Sequence, residues 1–402
     1  MARIWNKFIP LDKKVSRGTS KQFHPVRDSE HYNGAGTPLK PHTSSLRSGR
    51  KVFVAMSGGV DSSVAALLLK SQGYDVTGVY MKNWSEESFG GQFAAFCPWR
   101  EDLKDVRAVC KKLGIPLKVY NFEKEYGKKV IDYFFCGEKA GKTPNPDVIC
   151  NREIKFGLFL RRAIADGADF VATGHYAKKI SIPEGFALKI AKDKNKDQTY
   201  FLCLLNQRQL ARALFPLGGY TKPEVRELAR KAGLPTAEKP ESMGICFVGE
   251  IKMDDFLRAR IRQHPGDIVS VEGKILGRHK GLPFYTIGQR KGLRIPGLKP
   301  WFVVDKKIKT NRLVVAAGSK NHSLFKKTVG LEKWHWLAAK TEKTRFRCLA
   351  RIRHRQPLQA AVFYPGRYPK IAFIRPQRAV TPGQFCTIYR NGVLLGGGAI
   401  KA

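Results

Sequence analysis

Hydrophobic positions divide the chain into stretches of different period. From residue 51 to about 213, short apolar runs alternate with longer segments in which apolar residues return every three or four positions. Runs 51–56, 76–80, 117–120 and 169–173 read as strands, and 62–72, 101–113, 123–138 and 151–166 as helices. That alternation predicts an α/β fold whose parallel sheet is covered on both faces. Ligands in such sheets bind beyond the carboxyl ends of the strands. Two further helix patterns, 222–232 and 253–262, flank the loop Glu241 to Cys246, so 214–276 reads as a small connecting domain. From 277 onward the period drops to two, with glycine and proline turns between the runs 302–305, 312–316, 345–353, 359–364, 371–374, 385–389 and 393–396. These predict a C-terminal β-barrel over 277–402.

Residues 1–50 have no period and read as a mobile basic tail, a loose tether for RNA. They also lack an apolar signal core, and the chain contains no run of about 18 apolar residues, so no membrane span is expected. Eight cysteines without a Cys-x-x-Cys pair suit a reducing, cytoplasmic setting. Charge adds a second layer. The chain carries a formal +40, and residues 277–402 hold 27 Lys/Arg against only Asp305, Glu332 and Glu342. A field concentrated in this way attracts a polyanion. In that region Arg345, Arg347, Arg351, Arg353 and Arg355 share one parity, which as a strand aims five guanidinium groups at one face, suited to phosphates.

Candidate chemistry begins where the first strand ends. Ala55-Met56-Ser57-Gly58-Gly59-Val60-Asp61-Ser62-Ser63 runs from strand through a glycine turn into a helix. Free backbone N–H groups and the positive helix end then meet at one point, which favours phosphate. Asp61 is placed to hold Mg²⁺ beside those phosphates. The spacing is neither a Walker A loop nor a Gly-x-Gly-x-x-Gly fingerprint. Met81 and Gly174 also follow strands and face the same crevice, Met81 against an adenine ring or in the core. Past the proline-stiffened loop Thr143-Pro144-Asn145-Pro146-Asp147, Cys150 is expected near the start of helix 151–166, a position that lowers a thiol's pKa, unless it is a buried structural cysteine, the reading this loop alone favours slightly. Asp147 is within proton-exchange reach of a substrate. Cys246, in a glycine-flanked loop, is a second thiol able to meet Cys150 over one site. Cys97 lies in the loop-like insertion 85–99, where a role is open. Lys196-Asp197-Gln198 offers polar groups for RNA ahead of an aromatic pair, or else is a turn entering a buried helix, the more common use of such a run.

Ser57-Gly58-Gly59-Val60-Asp61-Ser62 resembles the PP-loop of ATP pyrophosphatases, adenine nucleotide alpha hydrolase-like enzymes that split ATP into AMP and pyrophosphate. Met81-Lys82-Asn83-Trp84, Thr143 to Cys150, Ala172-Thr173-Gly174-His175-Tyr176, Lys196-Asp197-Gln198, Gly244-Ile245-Cys246-Phe247 and Gly288-Gln289-Arg290-Lys291-Gly292-Leu293 follow in order. Together, from about 51 to the C-terminus, these motifs resemble the tRNA-specific 2-thiouridylases. The resemblance implies ATP contact by Ala55, Met56, Ser57, Gly58, Gly59, Val60, Asp61, Ser62, Met81 and Gly174. It implies target-base contact by Asn145, Pro146 and Asp147, and tRNA contact by His175, Lys196, Asp197, Gln198, Gln384 and, where the family often has Arg-Tyr, Arg353 and His354. Cys150 matches the nucleophile and Cys246 the persulfide carrier. ATP, Mg²⁺ and persulfide sulfur are the implied cofactors and co-substrates; tRNA and a persulfide donor protein are the implied partners of a monomer. Two rivals share some features. A GMP-synthetase-like ligase would share the PP-loop but need neither two thiols nor a basic barrel, and an RNA-binding module would bind nucleotide only to regulate itself.

Overall fold

The computed structural model describes residues 49–85, 87–88, 99–240, 253–296, 298–337 and 342–401. The basic tail therefore lies outside the described residues, except for its last two positions. Strands β1 (Lys51–Met56), β2 (Asp75–Lys82), β3 (Leu117–Asn121) and β4 (Phe170–Ala172) run parallel. A hairpin, β5 (Lys178–Ile182) and β6 (Gly185–Lys189), follows, and then the short β7 (Ala213–Leu214), which joins the first sheet in the order β3-β2-β1-β4-β7.

Alternating side chains of β1 explain why both faces of this sheet are covered. Val52, Val54 and Met56 pack with α1 (Val60–Ser71), α2 (Trp99–Leu113) and Val225 and Ala229 of the helix Lys222–Lys231. Phe53 and Ala55 turn the other way, into a cluster with Tyr126, Phe134, Val148, Cys150 and Ile154. The helix Lys222–Lys231, expected in a separate connecting domain, therefore belongs to the core of the parallel-sheet domain.

Past residue 253 a second sheet forms from β8 (Gly266–Ser270), β9 (Ile275–His279), β10 (Trp301–Lys307) and β11 (Arg312–Ala317), ordered β10-β11-β8-β9. The expected boundary at 277 falls inside β9, and the runs 302–305 and 312–316, assigned to the barrel from sequence, pair here instead. The reason is that β8 and β9, with their short apolar stretches, supply the partners that these strands need.

The barrel itself consists of β12 (Phe325–Trp336), β13 (Phe346–Arg351), β14 (Gln359–Tyr364), β15 (Lys370–Arg378), β16 (Phe385–Arg390) and β17 (Val393–Ile400). Their order is β12-β15-β14-β13-β16-β17, and β17 pairs back onto β12, closing a ring of six strands. Glycine makes the closure possible: a Cβ at Gly396 would lie 2.1 Å from the His335 carbonyl oxygen, and one at Gly398 2.4 Å from that of Lys333. On the outside, β17 also takes β6 as a neighbour through Leu394 and Leu188. The parallel-sheet domain thus lends its hairpin to the barrel's sheet.

Candidate active site

At the end of β1 the chain turns through Gly58, whose φ of +75° lies in the left-handed region. A Cβ there would also sit 2.8 Å from the Asp102 carbonyl oxygen. Gly59 then caps α1 without a side-chain hydrogen bond. The Ser57 N–H donates to Ser62 Oγ at 3.2 Å, and the Ser62 and Ser63 hydroxyls each donate to the Gly59 carbonyl at 3.0 Å. Ser62 and Ser63 are buried and brace the loop from inside, whereas Ser57 is exposed at its mouth. Gly174, just past β4, abuts the loop so closely that a Cβ would lie 2.8 Å from the Ser62 nitrogen. The carboxyl ends of two neighbouring strands therefore meet at one crevice, as the sequence anticipated. Met81 packs in the core beside Ala55 and Cys150, with 3% of its surface exposed.

Two residues not singled out from sequence complete this crevice. Asp61 Oδ1 accepts from Lys222 Nζ at 2.7 Å and from the Tyr176 hydroxyl at 2.8 Å. Lys222 is 8% exposed, so an ammonium is buried against the phosphate-type loop. Its signal was faint, because a lysine in the first turn of a distant helix reads as ordinary solvated charge.

Opposite this loop, on the other face of the sheet, lies the segment 143–150. Its helix begins at Pro146, capped by Asn145, whose side chain accepts from the Val148 N–H at 3.2 Å. This corrects the expected start at 151. Cys150 stands more than one turn inside a helix that continues to Ala165, is 1% exposed, and is not at the helix's positive end. Asp147 occupies that first turn instead and is half-buried. From the barrel, Gln384 grips the segment: its Nε2 donates to the Thr143 carbonyl at 2.9 Å and to that of Pro144 at 3.5 Å, and its Oε1 accepts from Asn145 Nδ2 at 3.2 Å. The Thr143 N–H donates in turn to the Pro382 carbonyl at 2.8 Å. Several buried polar atoms nearby have no hydrogen-bond partner, namely both ends of the Asn83 amide, Thr143 Oγ1 and Asn151 Oδ1. Buried groups in that state are the kind that a ligand satisfies. Cys246 and Cys97 lie outside the described residues.

The remaining expected RNA contacts divide. His175 is buried, its Nδ1 lies 2.8 Å from Thr173 Oγ1, and burial, with nearby Lys155, pushes its pKa well below 6.5. Asp197 is 2% exposed, and its carboxylate is spent internally: it accepts from Thr199 Oγ1 at 2.8 Å, from the Ala191 N–H at 3.2 Å and from Arg351. Gln198 Oε1 accepts from the Tyr176 N–H at 3.0 Å. Lys196 is half-buried, and Arg353 is exposed. His354 lies over Phe201 with ring centroids 4.4 Å apart, and its Nε2 is 3.2 Å from the Asp197 carbonyl oxygen. Arg351 corrects the reading of five phosphate-facing arginines. It does point away from the barrel core, but the parallel-sheet domain covers that spot, and only 5% of the residue is exposed. Arg345, Arg347, Arg353 and Arg355 stay exposed.

Comparison with known proteins agrees with this division of the chain. A model described as the tRNA methyl transferase HUP domain matches residues 50–250. The PRC-barrel domain of the same group matches 254–317, and an aminomethyltransferase beta-barrel domain matches 326–400. A tRNA-specific 2-thiouridylase MnmA of Legionella pneumophila (strain Lens) is 48% identical over 359 residues, covering 87% of this chain and 98% of that protein. One from Halalkalibacterium halodurans is 48% identical over 353 residues, covering 87% and 94%. Among solved structures, a 4-thiouridine synthetase–RNA complex with bound ATP aligns at 19% identity and a TM-score of 0.31, covering 50% of this chain and 46% of that one. With near-half identity across almost the whole length of its relatives, the chain belongs to the tRNA-specific 2-thiouridylase family.

Proposed function

We propose that this enzyme thiolates C2 of the wobble uridine, position 34 of tRNA, at the expense of ATP. The supporting observation is the shared loop. The residues that begin the Cys150 helix are held by Gln384 of the barrel, so a basic, RNA-attracting domain and a nucleotide-binding domain converge on one segment. A uridine carbonyl oxygen is a poor leaving group, and attack of that oxygen on the α-phosphorus turns it into AMP and releases pyrophosphate. The loop from Ala55 to Ser62 cradles the phosphates, and the Gly174 approach shapes its wall.

Among the described residues no group of three His, Cys, Asp or Glu side chains is placed to hold a metal ion. The Asp61 carboxylate alone fits Mg²⁺ carried in on the phosphates, where the ion would offset developing charge. Sulfur arrives on Cys246 as a persulfide from a donor protein. Either its outer sulfur attacks C2 and Cys150 then takes the inner sulfur, or Cys150 first releases sulfide that attacks C2. In both routes AMP leaves, a Cys150–Cys246 disulfide forms, and two electrons from a thiol reductant reset the pair. Asp147 manages the proton, and Asn145, Pro146 and Asp147 receive a base that has left the anticodon stack. The monomeric state and the cytoplasmic setting complete the proposal. No described helix is long and apolar enough to cross a membrane.

Mass spectrometry of nucleosides from tRNA incubated with ATP, Mg²⁺ and a sulfur source tests this reading. Wild type should yield 2-thiouridine with tRNA-dependent pyrophosphate release, whereas Cys150→Ser and Cys246→Ser should yield none and still bind tRNA. Normal product from either variant would reject these roles, and pyrophosphate release without tRNA would favour the small-molecule ligase.

A further inference from the structure

Between β12 and the turn that joins β14 to β15 lies a cavity of about 320 Å³. That volume is at the small end for ligand sites and has room for a single base rather than a folded element. Its walls include Trp334, Trp336, Lys333 and Arg367. The two indoles meet edge to face, 5.6 Å between centroids, and Trp334 Nε1 is buried with no hydrogen-bond partner. That nitrogen is sealed from the cavity, so what the cavity offers a ligand is indole surface and cations. A bulge in β12 between Leu331 and Trp334 changes the register here, the kind of irregularity that re-aims side chains. Lys333 and Arg367 are exposed, and the Arg367 guanidinium lies 5.5 Å from the ring of Tyr368, which is itself 74% exposed. The one acidic wall residue, Glu332, is paired with Lys142.

We propose that this cavity is a second RNA subsite, holding one unstacked nucleotide of the substrate next to the target base. The base would lie against Trp336, while its phosphate would meet Arg367 and Lys333. Aromatic faces interleaved with cations suit single-stranded RNA, because every base offers a π-face and every linkage a charge. Location supports the assignment. Lys142, which pairs with Glu332, stands three residues before Asn145, a span of at most about 10 Å of extended chain. The subsite and the loop that meets the target base are therefore neighbours on one face. This inference rests on RNA being the substrate, the reading given under the proposed function.

The test uses the full-length enzyme and a tRNA or anticodon stem-loop. Affinity is measured from 50 to 300 mM salt, roughly the range over which phosphate contacts are resolved. Arg367→Ala and Lys333→Ala, both at exposed positions, should each weaken binding and lower the slope of log K against log salt by about 0.7. Trp336→Ala should weaken it by about 5- to 150-fold, the usual range for losing one stacked base, and Trp336→Phe should restore most of that. ATP affinity on the same samples verifies that the fold is intact. Unchanged tRNA affinity and slope in Arg367→Ala and Lys333→Ala would overturn the subsite. An equal loss of binding to dextran sulfate would overturn it too, since that would mark charge without base recognition, as would a loss confined to binding of the persulfide donor. If instead the wild type neither binds nor thiolates tRNA, the failure lies with the proposed function.

Discussion

Breaking the buried ion pair between Asp197 and Arg351 should destabilise the protein far more than removing the pair as a whole. Asp197 belongs to the parallel-sheet domain and Arg351 to β13 of the barrel; they are 2% and 5% exposed. The guanidinium donates to the Asp197 carboxylate, to Thr199 Oγ1 at 3.1 Å and to the Tyr389 hydroxyl, at 2.7 Å from NH2 and 3.1 Å from Nε. In Arg351→Met the carboxylate stays in an apolar interior with only Thr199 and the Ala191 N–H as donors. Stranding a buried charge in this way costs about 3–5 kcal/mol. Asp197→Leu strands the arginine and should cost a similar amount. In the double variant both charges are gone, and replacing a buried pair by apolar groups is often close to neutral, so the cost should fall to about 1 kcal/mol or less. The assay is a double-mutant cycle by urea unfolding, read by tryptophan fluorescence, with tRNA affinity measured on each variant. Additive losses, or a single-variant cost below about 1 kcal/mol, would refute the buried-pair reasoning. If Asp197→Asn instead left stability intact and weakened tRNA binding directly, the carboxylate would be an RNA contact, as the family resemblance implies.

His175 is held neutral by burial, its pKa well below 6.5. The unfolded chain therefore binds the extra proton first, and stability falls as pH drops below about 6.5, by up to about 1.4 kcal/mol per pH unit. Urea midpoints at pH 7 and 5.5 should lose part of that difference in His175→Gln; an identical pH dependence would remove His175 as its source. Gln384→Ala releases the hydrogen bonds to Thr143, Pro144 and Asn145 and should lower kcat/KM for thiolation by about 100-fold, the scale of a small misplacement at a reacting centre, with ATP affinity retained. Equal kcat/KM in this variant would show that the grip does not matter. Gly396→Ala places a methyl against the His335 carbonyl, so β17 and β12 cannot close as they do, and the variant should unfold at distinctly lower urea. An unchanged midpoint would refute the closure argument.

Much of the fold was legible because periodicity carried it. β1 has the expected bounds, 51–56, and α2 and the barrel strands β13 to β17 lie within a few residues of theirs, while β12 was not expected. What escaped notice did so for physical reasons. In β12, Gly330 and paired lysines interrupt the alternation, and the bulge after Leu331 shifts its parity. The hairpin β5–β6 gains its stability from β17, some two hundred residues away, which no local pattern records. Asn145 followed by Pro146 is an N-cap with proline at the first helical position. Read as a stiff loop, it hid the true helix start and placed Cys150 wrongly at the helix's positive end. The phosphate-type loop was visible as a motif, but Lys222 and Tyr176, which hold Asp61, reach it only through tertiary folding. Arg351 kept its parity and lost its solvent, since parity says which face a side chain takes and not what covers that face.

The grip of Gln384 and Pro382 on the Thr143 segment has a consequence for engineering. The parallel-sheet domain and the barrel cannot be traded between relatives as separate cassettes, because the loop before Cys150 takes its shape from the far end of the polypeptide. A chimera would need Lys142 through Asn145 and Pro382 through Gln384 inherited together, and a chain lacking its last strands would lose the hold on the start of the Cys150 helix.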